Sequence, residues 1–595
     1  MKPPFDIDRN RKPVKQTHPK THRPAHIARP VRVVAALLTL FVLLGLWGGA
    51  RTLTTYESRG VVTTMPPADA PIVPGKTVGV QVFLDKEVDP ANIRRTAEML
   101  KEGGVTNVRQ SFSWCELEPT GRGVYWDYAN NKPSWQKYDQ IVNLLTANGI
   151  SITARLDNAP TWSRPGQTND PGSKCQKGPP TDLSAYTDFV RMFTTHYRGR
   201  IAAVQIWNEP NLSEEWGNEL NVVQYTDMLK RADQAAKQGD PDVLVVTAAM
   251  APTKATPPVG ISDLAFYEQM YQAGAKGSFD VLAVNVYGLG EPPDDRRLSM
   301  DRFNVSRPIL VHDIMTRYGD TATPVWATEF GYNSLPKGWN GEPSIWGKNV
   351  DEQTQARYLV GGLTRMTEEW PWMGEVFIWG FRWAERPGLF GKDQNNPVGL
   401  PKPEPYFALV NYDFTPRPSW NAVRQFARGQ TLRTGRTAAT DPLIQPSPGW
   451  ERSGSGANAI LAASAPDAPL TVPFTGTDLA VTGTGGALAV VVDGKDRGMM
   501  TLAPSPNGVT RLVTNLPDGP HTVMLRAAGG TARLDSFLVQ RRAPFGWVLP
   551  LLTLGIILIG AGAIGALIAE TFGACDDALR RNRRRRATMR GVTTR

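Results

Sequence analysis

Cysteine and histidine are scarce in this chain. Of its 595 residues only three are Cys and six are His. His18, His22 and His26 crowd the N-terminal stretch, and the remaining His196, His312 and His521 have no partner in an H-E-x-x-H spacing. No C-x-x-C occurs, so zinc and thiol redox chemistry lack their usual ligands. Neither the G-x-S-x-G elbow of a serine hydrolase nor a GxxxxGK[ST] phosphate loop stands out. No cofactor and no metal site are expected. An internal repeat is also missing, apart from a rhythm of alternating strand and helix described below.

The core of the chain also lacks an excess of basic charge, although the whole carries +10 and a pI near 9.4. Residues 1–32 hold nine Lys/Arg against two Asp, and residues 570–595 hold eight Arg against three acids. Those ends exceed the total, which leaves the stretch between them slightly acidic, near −2. A nucleic-acid partner is therefore not expected. Basic ends flanking apolar runs point to a membrane instead.

Two apolar runs lie inside those ends, residues 33–50 (VVAALLTLFVLLGLWGGA) and 545–569 (FGWVLPLLTLGIILIGAGAIGALIA). Each approaches the ~20 residues that cross a bilayer, and each has a Trp near one end, as interface anchors do. Read as two transmembrane helices, they put both basic tails in the cytoplasm and the roughly 490 residues between them outside. The lipid bilayer is then a partner, and the cell membrane the location. A competing reading makes the first run a cleaved signal peptide, since Gly48-x-Ala50 resembles a small-residue cleavage site. Gly562 and Ala566 have the small-xxx-small spacing of a helix-packing face, which is equally common in unassociated membrane helices. Cys115 and Cys175 fall in the outside region, where an oxidising compartment would let them pair; two buried thiols is the alternative.

Residues 51–75 form a Pro-containing spacer. Residues 76–430 carry eight strand candidates: Val78–Leu84, Asn107–Phe112, Ser151–Leu156, Ala203–Trp207, Val243–Ala248, Val281–Val286, Val325–Thr328 and Val376–Trp379. Helical stretches such as Asp89–Glu102, Trp135–Asn148, Asp182–Tyr197, Val222–Gly239 and Glu352–Glu369 separate them, with Asp182 and Asp351 at N-cap positions. Eight βα units predict an α/β fold, a (β/α)8 TIM barrel with its active site at the C-terminal ends of the strands. Residues 431–448 read as a linker. Residues 449–541 have short alternating strands and dense turn signals, as at Asp493-Gly494 and Asp518-Gly519, and predict an all-β sandwich, jelly-roll-like.

Two strand candidates end in a glutamate followed by turn residues, Ile206-Trp207-Asn208-Glu209-Pro210 and Ala327-Thr328-Glu329-Phe330-Gly331. Hydrolysis of a glycosidic bond takes such a carboxyl pair, one to protonate the leaving oxygen and one to attack the anomeric carbon. The bland alternative is that both cap helices or pair with arginines. Seventeen Trp fit a carbohydrate site, although roughly half are expected in the barrel and sandwich cores.

These residues carry a resemblance. Asn208-Glu209-Pro210 on the fourth strand and Glu329 on the seventh, with Arg109 on the second, Trp114, Glu118-Pro119, Gly123, Tyr125-Trp126, Tyr138-Asp139 and Ala159-Pro160-Thr161-Trp162, resemble glycoside hydrolase clan A, and within it the family 39 and family 5 groups. The resemblance covers residues 76–430, about 60% of the chain. It implies a retaining mechanism with Glu209 as acid/base and Glu329 as nucleophile, their carboxyls about 5–5.5 Å apart. It also implies that Glu209 stays protonated while Glu329 is ionised. Arg109 would supply a cation and Tyr287 a phenolic hydrogen bond to the nucleophile. Asn208 would hold the sugar 2-hydroxyl and Trp379 would be a sugar platform. Trp162, with Tyr332 and Trp383, would either line the cleft or serve ordinary packing. Glu118 is expected to anchor its loop rather than to act on substrate. One position departs from the pattern: these families often place a His two residues before the strand-six Tyr, and here Asn285 stands there.

The expected function is a membrane-anchored retaining glycoside hydrolase acting on an extracellular or envelope oligo- or polysaccharide. A non-catalytic glycan-binding surface protein and a transglycosylase using the same site are the alternatives. The sandwich is expected either to bind glycan, through Trp450 or Phe474, or to serve as a spacer. The sequence gives no oligomeric state.

Overall fold

A computed structural model describes residues 29–57, 64–73, 78–166, 173–217, 219–384, 400–454, 459–505, 508–528, 532–542 and 548–590. The chain divides into two compact units, Met1–Thr55 with Phe545–Arg595, and Tyr56–Pro544.

In the larger unit eight parallel strands close into a barrel. They are β1 Val78–Val82, β2 Asn107–Ser113, β3 Ser151–Asp157, β4 Ala203–Ile206, β5 Leu244–Val246, β6 Leu282–Tyr287, β7 Val325–Gly331 and β8 Met373–Ile378. Each pairs with the next and β8 returns to β1. Between β5 and β6 the closure is thin: one parallel bridge, Val246 to Val281, with the Val281 amide donating to Val245 O and the Thr247 amide to Val281 O.

Period-two alternation sorts the strand residues. Val80, Val108, Ile152, Val204, Val284 and Ile378 pack outward against the helices. Ala203, Val246, Val281, Ala283, Trp326 and Phe377 form a separate apolar cluster inside the barrel. Gly79 belongs to this floor, since a Cβ there would meet the Phe377 ring at 2.5 Å. Above the floor the inward positions turn polar. Gln81, Arg109, Gln205, Asn285 and Thr328 are all buried there. This polar layer supports the ends of β4 and β7.

The helices follow from spacing and caps. Val222–Gly239 buries Val222, Tyr225, Leu229, Ala232 and Ala236, an i, i+3, i+4 stripe. Asp182 accepts from the Ser184 amide and Asp351 from the Thr354 amide, as the cap reading expected. The helix expected over Glu352–Glu369 is α-helical to Thr364 and then widens into a π-turn over Arg365–Glu369.

The sandwich stands on two antiparallel sheets. One holds Trp450–Ser453, Ile460–Ala463, Arg533–Gln540, Asp478–Thr484 and Val509–Val513. The other holds Gln445–Pro446, Pro469–Gly476, Gly519–Ala528, Ala487–Val492 and Lys495–Thr501. Their inward residues, among them Leu470, Val472, Leu479, Val490, Leu525 and Phe537, make the second core. Two short strands fall in the stretch expected to be a linker: Gly435–Ala438, which pairs with Arg533–Gln540, and Gln445–Pro446. Trp450 and Phe474 are buried in this core, and Trp450 Nε1 donates to Ala468 O. They are therefore packing residues, which removes them as the glycan contacts expected of this domain. Part of the expected spacer packs on the sandwich: Ile72 bridges Arg436, whose guanidinium donates to Ala70 O, and Val73 is buried.

The smaller unit holds two helices, Arg29–Glu57 and Val548–Arg590. Among the described residues one helix, over Val548–Ala587, is long and apolar enough to cross a membrane. This corrects the expectation of two spans. The first helix is 29 residues long, and its described apolar stretch is Leu37–Thr52. The second helix continues to Arg590, so most of the Arg-rich stretch expected as a tail is helical. The expected N-terminal tail lies outside the described residues, except for its last four.

Candidate active site

β4 ends in a turn that holds two non-glycine residues at positive φ, Trp207 at 73° and Glu209 at 42°. Backbone strain of this kind persists only where the surroundings fix it. Here the Trp207 indole is buried and donates to Glu215 O at 3.1 Å, and the Glu209 amide donates to Ala249 O at 3.1 Å. Asn211 locks the loop from behind. Its Nδ2 donates to Ala251 O and Ile261 O, and its Oδ1 accepts from the Ala251 amide.

β7 reaches the site through a register slip. Ala327 pairs with Val284 but Glu329 pairs with Asn285, so Thr328 is the extra residue of a bulge. Two consecutive side chains can then bond inside the barrel, Thr328 to Asn285 and Glu329 to Arg109. Phe330 resumes the outward face.

The Glu329 carboxylate is held at both oxygens. Arg109 donates to Oε1 at 2.8 Å and the Tyr287 hydroxyl to Oε2 at 2.6 Å. Arg109 is fully buried and is held in turn by Gln205 Oε1 at 2.7 Å, Gln81 Oε1 at 2.7 Å and Asn208 Oδ1 at 3.1 Å. Burial, and after it the charges of Glu329 and Glu209, push the Tyr287 phenol well above its ordinary range, so it stays a donor.

Glu209 has the opposite surroundings. Among the described residues no cation pairs with it; its Oε1 accepts from Asn285 Nδ2 at 2.7 Å. Burial first, then the charges of Glu329 and Glu215, raise its pKa from 4.5 to about 8, against the lowering effects of Asn285 and Arg109. One carboxyl of the site is thus kept protonated at neutral pH while the other is neutralised by a buried guanidinium. A raised carboxyl beside one held in an ion pair suits acid and nucleophile roles.

Trp379 follows β8, with its amide on Phe330 O, and sits in an aromatic wall. Its ring centroid lies 6.0 Å from Tyr287, 5.6 Å from Trp346, 5.2 Å from Trp383 and 4.9 Å from Phe407. Trp162 has a different setting. Its Nε1 donates to Glu118 O at 2.7 Å and its ring meets Trp114 edge-on at 5.8 Å. Glu118 accepts from the Trp114 indole at 2.5 Å and from the Gly123 amide, so it does anchor its loop. Tyr332 is buried, with its hydroxyl on Glu291 O. A disulfide joins Cys115, just after β2, to Cys175 in the loop after β3.

The structure thus gathers Glu209, Glu329, Arg109, Asn208 and Tyr287 at one end of the barrel, puts Trp379 against Tyr287, and holds Trp162 in the packing of the adjoining loop. Sequence reading missed Gln81, Gln205 and Thr328, although a polar residue at an inward strand position was a usable signal. It also missed Trp346, which comes from a loop without periodicity. Among the described residues no group of three or more His, Cys, Asp or Glu could hold a metal ion.

No family model and no curated protein matches the chain. Solved structures are similar to it. A family 39 glycoside hydrolase from Bacteroides cellulosilyticus is 20% identical, covering 77% of this chain and 81% of its own, with a TM-score of 0.44. A family 39 β-xylosidase from Caulobacter crescentus is 17% identical over 79% of this chain and 98% of its own, with a TM-score of 0.41. A glucosidase from Croceicoccus marinus is 14% identical over 79% and 98%, with a TM-score of 0.43. The barrel assignment stands on the strand order above and the chemistry on this chain's own residues.

Proposed function

We propose that this chain is a retaining glycoside hydrolase, with Glu209 as acid/base and Glu329 as nucleophile. The observation that carries the reading is the split environment of the two carboxyls, one with its pKa raised to about 8 and without a cation partner among the described residues, the other gripped by Arg109 and Tyr287. In the first step Glu209 gives its proton to the leaving oxygen as the bond to the anomeric carbon breaks, and Glu329 attacks that carbon from the other face. In the second step Glu209, now a carboxylate, takes a proton from water, and the water opens the glycosyl ester. Two inversions give net retention. Asn208, fixed by Arg109, is suited to hold the sugar 2-hydroxyl, and Trp379 with Trp346 to face the sugar ring.

The substrate class is an oligo- or polysaccharide outside the cytoplasm. The Cys115–Cys175 bridge fits an oxidising compartment. The apolar helix that starts at Val548 fits a membrane anchor, and the arginines from Arg580 onward fit its cytoplasmic side. An anchored enzyme would act on polymer at its own cell surface.

The test is turnover by the full chain in detergent micelles, against a panel of aryl glycosides and polysaccharides, beside E209Q and E329Q. A loss of ~10² or more in both variants is expected, on the scale of a positioned acid/base or nucleophile. Glycan binding without turnover in the unmutated chain would replace this reading with a binding role.

A further inference from the structure

A line of hydrogen bonds crosses the barrel beneath the two glutamates, and its direction is fixed by chemistry at every link. Arg109 Nε can only donate, so the atom of Gln205 that faces it at 2.7 Å is the amide oxygen. The Thr247 carbonyl can only accept, so Gln205 turns Nε2 toward it at 3.1 Å. That same Nε2 lies 3.4 Å from Thr328 Oγ1, which therefore receives there. The Thr328 hydroxyl hydrogen is left for Asn285 Oδ1, at 3.1 Å. With Oδ1 engaged, Asn285 presents Nδ2 to Glu209 Oε1 at 2.7 Å. Arg109, Gln205, Thr328 and Asn285 are all buried, so water does not compete for these bonds.

We propose that Gln205 and Thr328 are positioning residues which, from the fixed end at Arg109, hold the Asn285 amide as a donor to Glu209 Oε1 and so leave the acid's proton on Oε2. This deepens the glycosidase reading and rests on it for its purpose, though not for its test. Asn285 stands where the resembled families often carry a His. An imaginary flip of its amide would set an oxygen against the carboxylate, and the Thr328 hydroxyl is what opposes that flip. An amide in this place adds no titrating proton beside the acid, unlike an imidazole. The other charged or titratable groups around Glu209 are Glu329 on β7, Glu215 after β4, Arg109 on β2, Tyr287 on β6 and Tyr267 on the helix Asp263–Gln272.

A donated hydrogen bond favours the carboxylate, so losing it must raise the midpoint at which Glu209 ionises. The experiment is pH-difference infrared spectroscopy of the full chain in detergent, with E209Q subtracted to isolate the Glu209 carbonyl band. It needs no substrate. Asn285→Leu removes the donor and should raise the midpoint by roughly one pH unit or less. Thr328→Val keeps the volume but loses the hydroxyl, and should raise it by about a third as much or more. Thr328→Ser keeps the hydroxyl and should restore the unmutated value. The proposal is overturned if Thr328→Val titrates like the unmutated chain, or if Thr328→Ser shifts as far as Thr328→Val. Should Thr328→Val fail to fold, Asn285→Leu decides: an unchanged midpoint overturns the donor itself. Loss of turnover in E209Q and E329Q is scored separately, so failure of the glycosidase reading and failure of this proposal are distinguishable.

Discussion

Keeping Glu209 protonated has a cost in stability that grows with pH, and removing the residue should recover it. Its pKa rises from 4.5 unfolded to about 8 folded. Below about 4.5 both states are protonated and the residue is neutral to stability. As pH rises through the window between the two values, the unfolded chain ionises and the folded one does not, so stability falls. Above about 8 the loss is complete. From pH 5 to pH 9 the linkage amounts to about 4 kcal/mol as an upper bound. Glu209 is partly exposed, so about half of that is expected. Glu209→Gln cannot ionise and retains an oxygen to accept from Asn285. By scanning calorimetry of the full chain in detergent, E209Q should melt close to the unmutated chain at pH 5. At pH 9 its barrel transition should lie about 2–3 °C higher, since a domain this large shifts by only about 1–1.5 °C per kcal/mol. An equal difference at both pH values, or a less stable E209Q at pH 9, would refute the account of how this acid is held. Stabilisation on removing a proposed acid is the expected trade of function against stability.

Three other outcomes follow from the geometry. Tyr287→Phe deletes the 2.6 Å bond to Glu329 Oε2 and should lower kcat roughly 10- to 100-fold, since a bond to a charged group contributes ~1.5–3 kcal/mol; the steady-state rates of the two proteins check it. The basic limb of kcat/KM should fall near pH 8, where Glu209 loses its proton, and E209Q should lack that limb. Gly79→Ala would bring a methyl group to 2.5 Å from the Phe377 ring, and should destabilise the barrel by about 1–3 kcal/mol in denaturant melts.

The strand rhythm was legible because barrel strands covered by helices read as short apolar, β-branched runs, and because caps such as Asp182 and Asp351 mark helix starts locally. Glu209 and Glu329 were read as carboxyls closing strand-like runs, whereas Arg109 and Tyr287 came only with the family resemblance. The bulge at Thr328 was not legible, since a register slip depends on the neighbouring strand rather than on the residues that slip. The role of Asn285 was read only as a departure, because its partners Thr328 and Gln205 come from other strands. Trp450 and Phe474 were misplaced because an aromatic in a short strand gives no sign of which face it takes.

The central claim is that Glu329 forms a covalent bond to the sugar. Its most direct measurement is the mass of the full chain, and of its proteolytic peptides, after incubation with a panel of 2-deoxy-2-fluoroglycosyl fluorides, which slow the second step more than they slow the first. The account predicts one added sugar, carried by the peptide that contains Glu329 and missing from E329Q. Turnover of a glycoside with no adduct on that peptide, or an adduct on another residue, would contradict it.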